Sequence, residues 1–479
     1  MQKKFFSNLI WLIFFNLLIK PYAIFGIDAE VQNRVGTETY GMYFTLLNFT
    51  LLFNILLDVG ITNYNTRYVA QYPLLVKRYI GNMLSLKVIL FLIYSVFTLF
   101  IAFVFGVKAQ QYWFVLLLII NQFFISMLQF LRSYFAGLLL FKWDIFLSIL
   151  DRIVLILVVS ILLYAPHFKH QFKIEWFIYA QLFSFGLSVL VAFVLVLWKV
   201  GFPRFHIGKI LSYAILKKSL PFALLVLLMM LYSRMDALML ERLHIHGHKQ
   251  VGLYAQSYRM LDASLMFIMM FSSLLYPIFS RMIKEKSDVK PLLTSSSKLV
   301  FAFTSILSIT CGGFAWFILK SIYDHDVDMA VPTFRMLMLS VVPTAMILIL
   351  GTYLTANGSL KKLNIFSFVG LVLNIVFNFI LIPKHGSFGA AVSTLIGQSM
   401  ILVLYLISIW KMIDFQFKWN EALRFVIYVG LLGASYLLSF MVKNQFLQLT
   451  GFVILVGIIG LLVGMIPLKS IVHSLKNEK

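Results

Sequence analysis

An all-α polytopic membrane protein is the fold class this sequence predicts, and three observations carry that reading. Hydrophobic residues fill 61% of the 479 positions and charged residues only 12%, about half the charged share of a soluble domain. Apolar runs of about 20 residues, the length of a membrane-crossing helix, recur from one end of the chain to the other. The stretches between them are short and leave no room for an extramembrane catalytic module. Aromatic residues, 48 of them Phe, suit lipid-facing helices and interfacial belts. Cys311 is the single cysteine, which excludes an internal disulfide framework.

Charge marks the spans in order. The start, MQKKFFSNLIWLIFF, has the basic and apolar regions of a signal peptide but no small-residue cleavage site, so it opens the first span, 5–27. Arg34 separates that span from 41–62, and Arg67, Lys77 and Arg78 separate 41–62 from 80–106. Lys108 lies between 80–106 and 111–139, Lys142 before 145–165, and Lys169 and Lys173 before 174–198. A basic stretch from Lys199 to Lys218 leads to 220–241, and Arg242 and Lys249 precede 251–280. Arg281 to Lys298 bracket the next turn, before and into 292–320, and Lys320 closes that span ahead of 331–356. Lys361 and Lys362 precede 363–383, Lys384 precedes 388–410, Lys411 to Arg424 flank the start of 421–442, and Lys443 precedes 449–467. These fourteen spans place 24 basic residues on the side of the N-terminus and nine on the other. The positive-inside rule therefore puts both termini in the cytoplasm. Much of the net charge of +22 is a topology signal and not a nucleic-acid patch.

The chain repeats itself. Gly41-Met-Tyr43 opens the second span and Gly252-Leu-Tyr254 the eighth, while Phe141–Phe146 leads into the fifth much as Lys361–Phe366 leads into the eleventh. Both pairs relate one span to the span six later, which predicts two homologous six-helix bundles of like orientation plus two C-terminal helices. The expected divisions are a bundle at 1–200, a cytoplasmic linker at 201–219, a bundle at 220–411, and two additional helices with a tail at 412–479. Paired bundles of this kind suit alternating access with the substrate between them.

Seven basic residues lie within or at the ends of spans: Lys20, Lys87, Arg132, Arg152, Arg234, Arg259 and Arg335. Four acids sit similarly: Asp58, Asp151, Asp236 and Asp262. A charge facing lipid at mid-bilayer costs about 2.5–3.5 kcal/mol on insertion scales, so these groups face protein, water or the interface. Arg234 and Asp236 stand two residues apart on a helix and point apart, Arg259 and Asp262 share a face, and Asp151 and Arg152 diverge by about 100°. Lys87, Arg132, Asp151 and Arg335, nearer span ends, read as interhelical staples. Lys20, Arg234 and Arg259 are the candidates for an anionic headgroup, because Arg grips phosphate or pyrophosphate with paired hydrogen bonds. Asp58, Asp236 and Asp262 are candidates for a coupling H⁺ or Na⁺, or serve as charge partners of the bases. His244–His248 (HIHGH) and Tyr323–Ala330, with Asp324, Asp326 and Asp328, read as polar outer loops, so no metal site is expected. No Walker motif and no nucleophile–base arrangement is present, so neither a cofactor nor enzymatic chemistry is expected.

Four segments carry a resemblance. Arg34–Gln71, Leu231–Leu240 (LYSRMDALML), Val251–Met282 and Asn374–Gln398 resemble, in order, the corresponding parts of Wzx-type polysaccharide and O-antigen flippases of the multidrug/oligosaccharidyl-lipid/polysaccharide superfamily. In the last segment Pro383 is expected to end a helix, Gly386 and Gly389 to make a tight turn, and Ala390-Ala391 to let the next helix pack closely. The resemblance covers about the first twelve spans. It implies a flippase of the bacterial cytoplasmic membrane that carries a polyprenyl-pyrophosphate-linked oligosaccharide to the outer leaflet for polysaccharide biosynthesis and export. Its partners would be that glycan, membrane lipids and the pathway's glycan polymerase machinery, with no nucleic acid. A multidrug cation antiporter and a lipid II flippase share the fold and are the near alternatives. A membrane glycan polymerase is the alternative of another class, and the short loops speak against it.

Overall fold

The computed structural model describes residues 19, 21–62, 65–66, 69, 76–138, 140–165, 172–200, 227–228, 230–232, 234–413, 419–439 and 445–463. Among them the chain is helical and contains no strand, as its long apolar runs predict. In chain order the helices are α1 (Ala29–Val35), α2 (Thr37–Leu52), α3 (Ile55–Asp58), α4 (Val76–Val104), α5 (Tyr112–Gly137), α6 (Phe141–Tyr164) and α7 (Ile174–Val200). Then come α8 (Gly247–Lys284), α9 (Lys290–Gly313), α10 (Ala315–Ile322), α11 (Val327–Ala356), α12 (Leu360–Ile413), α13 (Trp419–Ser439) and α14 (Gln445–Leu462). A π-helical stretch, Ala23–Asp28, runs directly into α1. Among the described residues seven helices are long and apolar enough to cross a membrane, one of them the 52-residue stretch Lys361–Met412, which has the length of two spans. The protein is an all-α multi-pass membrane protein.

Helical spacing sorts lipid-facing from protein-facing residues. On α4, Val88, Leu92, Val96, Phe100 and Phe103 are exposed at intervals of three and four, whereas Leu86, Lys87, Leu90, Tyr94 and Thr98 are buried. The first set forms one stripe along the helix and the second the opposite face. Tyr94 uses its inward hydroxyl to donate to the Thr50 carbonyl at 2.8 Å, which ties α4 to α2. Chain contacts divide the protein into two compact units, Met1–Leu238 and Met239–Lys479. In the first unit, α4, α5 and α7 share a core built on Ile80, Leu84, Phe130, Leu131, Phe135 and Ala192. In the second, α9, α13 and α14 pack through Ala302, Tyr428, Leu432, Phe452 and Val456.

Two predicted spans are interrupted, and two others run together. The run 41–62 is not one helix: α2 ends at Leu52, a single turn follows as α3, and Val59 (φ 44°) and Gly60 (φ 82°) break the chain in the left-handed region. A β-branched residue is rare there, so neighbouring groups must hold Val59 in place. The run 292–320 is divided at Phe314 into α9 and α10. The runs 363–383 and 388–410 appear as the two limbs of α12, which meet at Gly386 (φ 54°, ψ −132°). Pro383 therefore does not end its helix; it lies inside the first limb, and the turn belongs to Gly386. The Gln250 side chain lies against that turn and accepts the Ser387 amide at 2.8 Å. Ala390 and Ala391 are fully buried, in keeping with their expected packing role.

Candidate functional site

Polar side chains in the first unit pair between its helices at buried and half-buried positions. Gln181 on α7 accepts from Asn121 at 2.9 Å and donates to the Tyr43 hydroxyl at 2.8 Å. Asn65 donates to Ser133 at 2.6 Å. In an apolar surrounding each such group needs a partner, and the pairs tie α2, α5 and α7 together.

The break after α3 adjoins the charged member of this set of pairs, Lys87 with Asp58. Lys87 is 1% exposed, and its ammonium donates to the Leu57 carbonyl at 3.1 Å, to Ser126 at 2.9 Å and to the Asp58 carboxylate. The Phe130 ring lies 5.6 Å from the nitrogen. Asp58 also accepts from the Thr62 amide and hydroxyl, so one carboxylate binds both sides of the left-handed residues. Asp58 is thus a charge partner, and Lys87 is its buried staple. Sequence spacing could not find this pair, because the partners are 29 positions apart on different helices.

The remaining intramembrane cations separate by partner. Arg132 meets Asp144 at 2.8 Å, and Arg335 donates to the Gly312 carbonyl at 3.2 Å, both acting as staples. Arg152 reaches its neighbour Asp151 at 3.4 Å, although adjacent helical positions diverge; the guanidinium is long enough to fold back. Arg234 is different. Its hydrogen bond goes to the neutral Asn48 amide oxygen at 3.2 Å, its buried Nε has no hydrogen-bond partner, and it forms no salt bridge among the described residues. Asp236, two positions on, is 3% exposed. Lys20 lies outside the described residues.

In the second unit Arg259 is 5% exposed. It donates to the Tyr323 hydroxyl at 2.7 Å and stacks 5.7 Å from that ring, and Gln256, one turn earlier, donates to the His325 carbonyl at 3.2 Å. Lys249 meets Asp326 at 3.0 Å, so α8 fastens the loop before α11 at three levels. Asp262 is half-buried on the same helix. Hydrogen bonds to charged donors contribute about 1.5–3 kcal/mol. Arg259→Met is therefore expected to lower unfolding stability within that range, read as a lower melting midpoint in detergent, with Arg259→Lys recovering part of the loss.

A second seam joins the limbs of α12. Asn374 and Asn378 are fully buried; Asn378 donates to the Asn374 side chain at 3.2 Å, and Ser393 on the other limb donates to the Asn374 carbonyl at 3.1 Å. At the turn 244–246 that precedes α8, partial burial and His246 hold the His244 imidazole below its ordinary pKa. Among the described residues no cluster of three or more His, Cys, Asp or Glu side chains could hold a metal ion.

With this geometry in view, residues 5–283 match the family described as polysaccharide biosynthesis protein, and the chain belongs to that family. No curated protein matches the chain. Among solved structures it is similar to the lipid II flippase MurJ in an inward closed conformation, with a TM-score of 0.71 at 12% identity over 96% of this chain and 100% of that one. It is also similar to an inward-facing multidrug resistance MATE family transporter of the MOP superfamily, with a TM-score of 0.66 at 16% identity over 82% and 94% of the two chains. A MOP superfamily transporter from Pyrococcus furiosus gives a TM-score of 0.63 at 15% identity over 85% and 95%. At these identities the likeness is one of fold.

Proposed function

We propose that this protein is a flippase that carries a polyprenyl-pyrophosphate-linked oligosaccharide from the inner to the outer leaflet of the cytoplasmic membrane, with both of its own termini in the cytoplasm. The observation that carries the reading is a polysaccharide biosynthesis family membership on a multi-pass transporter fold. Two homologous bundles, with the last two helices added, would move by alternating access. Arg234, whose hydrogen bond goes to a neutral amide, keeps its charge for the pyrophosphate, and Arg259 and Lys20 are the further ligands of that headgroup. The membrane potential favours export of such an anion by about 2.3 kcal/mol per charge per 100 mV. A coupling H⁺ or Na⁺ would be taken by Asp236 or Asp262, since Asp58 serves Lys87. The glycan polymerase of the same pathway is the expected neighbour.

The test is made in a strain whose surface glycan depends on this chain. Arg234→Ala is expected to abolish surface glycan at an unchanged level of protein in the membrane, with Arg234→Lys retaining a fraction. Full export by Arg234→Ala would remove Arg234 from the headgroup site. The same-fold alternative, a cation antiporter, predicts instead that deleting the chain raises susceptibility to cationic drugs and leaves surface glycan intact.

A further inference from the structure

We propose that the Leu57 carbonyl, the Asp58 carboxylate and the Ser126 hydroxyl form a site for a large monovalent cation, and that the Lys87 ammonium fills it from within the chain. This goes beyond the flippase reading and does not rest on it. Three oxygens of different chemical kinds converge on one nitrogen that is shut off from solvent, and the face of Phe130 covers it. The carbonyl comes from the C-terminal end of α3, where a helical turn leaves acceptors unsatisfied. The break at Val59 and Gly60 is what turns that end toward α4 and α5. One carboxylate balances one positive charge. The spacings to the two neutral oxygens, 2.9 and 3.1 Å, are ammonium-sized and too wide for the 2.0–2.1 Å shell of Mg²⁺ or the 2.3–2.6 Å shell of Ca²⁺. The first unit therefore carries its own tethered cation, and Asp58 is closed to a soluble coupling ion while Lys87 is in place.

Lys87→Ala empties the site and leaves its oxygens. Full-length wild type and variant, purified in detergent, are melted in potassium, methylammonium and choline chloride at equal ionic strength. The wild-type midpoint is expected to be the same in all three salts. The variant should melt several degrees lower in choline and recover, saturably, in methylammonium or potassium, and Asp58→Asn added to Lys87→Ala should remove the recovery. Equal midpoints of Lys87→Ala in all three salts, a wild type that shifts as the variant does, or recovery that survives Asp58→Asn would each overturn the proposal. If Lys87→Ala is not recovered folded in choline, the yield of monodisperse protein solubilised with and without methylammonium decides: a higher yield with the amine supports the site, and equal yields overturn it. Transport is not read in any arm, so failure here leaves the flippase reading standing.

Discussion

Lys87→Met is expected to lower unfolding stability by about 3 kcal/mol, the low end of what removing one partner from a buried ion pair costs. The low end applies because Asp58 keeps 27% of its side chain exposed while Lys87 keeps 1%. Methionine replaces the stem but not the three hydrogen bonds, so the Leu57 carbonyl loses its ammonium donor and Asp58 keeps only Thr62 in an apolar setting. The residues that hold Val59 in the left-handed region lose an anchor at the same time. A pair removed whole leaves no uncompensated charge, so Lys87→Met with Asp58→Asn should regain most of the loss. Denaturant or thermal unfolding of the purified protein measures both. A single variant within about 0.5 kcal/mol of wild type, the usual range of a surface change, would show that the pair carries no stability.

The second large effect lies at the turn of α12. A Cβ on Gly389 would stand 2.5 Å from the Leu381 carbonyl oxygen and 2.7 Å from its carbon, both backbone atoms of the other limb. Neither can swing aside as a side chain does. Gly389→Ala is expected to cost at least the 1–3 kcal/mol typical of overpacking, and Gly389→Val more, with loss of folded protein from the membrane. Gly430→Ala is the control, since a Cβ there meets nothing within 4 Å, and its midpoint should not fall. Equal midpoints for Gly389→Ala and Gly430→Ala would contradict the close approach of the two limbs.

How much of this was legible in the sequence depends on range. Span positions and the all-helical fold follow from apolar run length, a local property, and α4 to α7 lie within a few residues of their predicted bounds. Gly386, Ala390 and Ala391 were legible because turn chemistry is also local, yet the helix runs on through Pro383, since its neighbouring limb fixes where the chain turns. The interruption at Val59 was not legible, because an unbroken apolar run hides a break held by Lys87 from another helix. Of the charges, Arg132 reads as the staple the structure makes it, paired with Asp144 across a short turn. Lys87 and Asp58 needed three dimensions. Arg259, read from its charge as a headgroup ligand, also fastens Tyr323, a contact no spacing announces.

The central claim is that this chain translocates a lipid-linked glycan. Its most direct measurement uses purified protein in proteoliposomes that carry a polyprenyl-pyrophosphate-linked oligosaccharide, with leaflet crossing read as accessibility of the sugar to an added lectin or glycosidase. The account predicts crossing that requires the protein, falls to the protein-free rate with Arg234→Ala, and does not occur for organic cations in the same vesicles. Crossing no faster than in protein-free vesicles, together with uptake of organic cations, would contradict it.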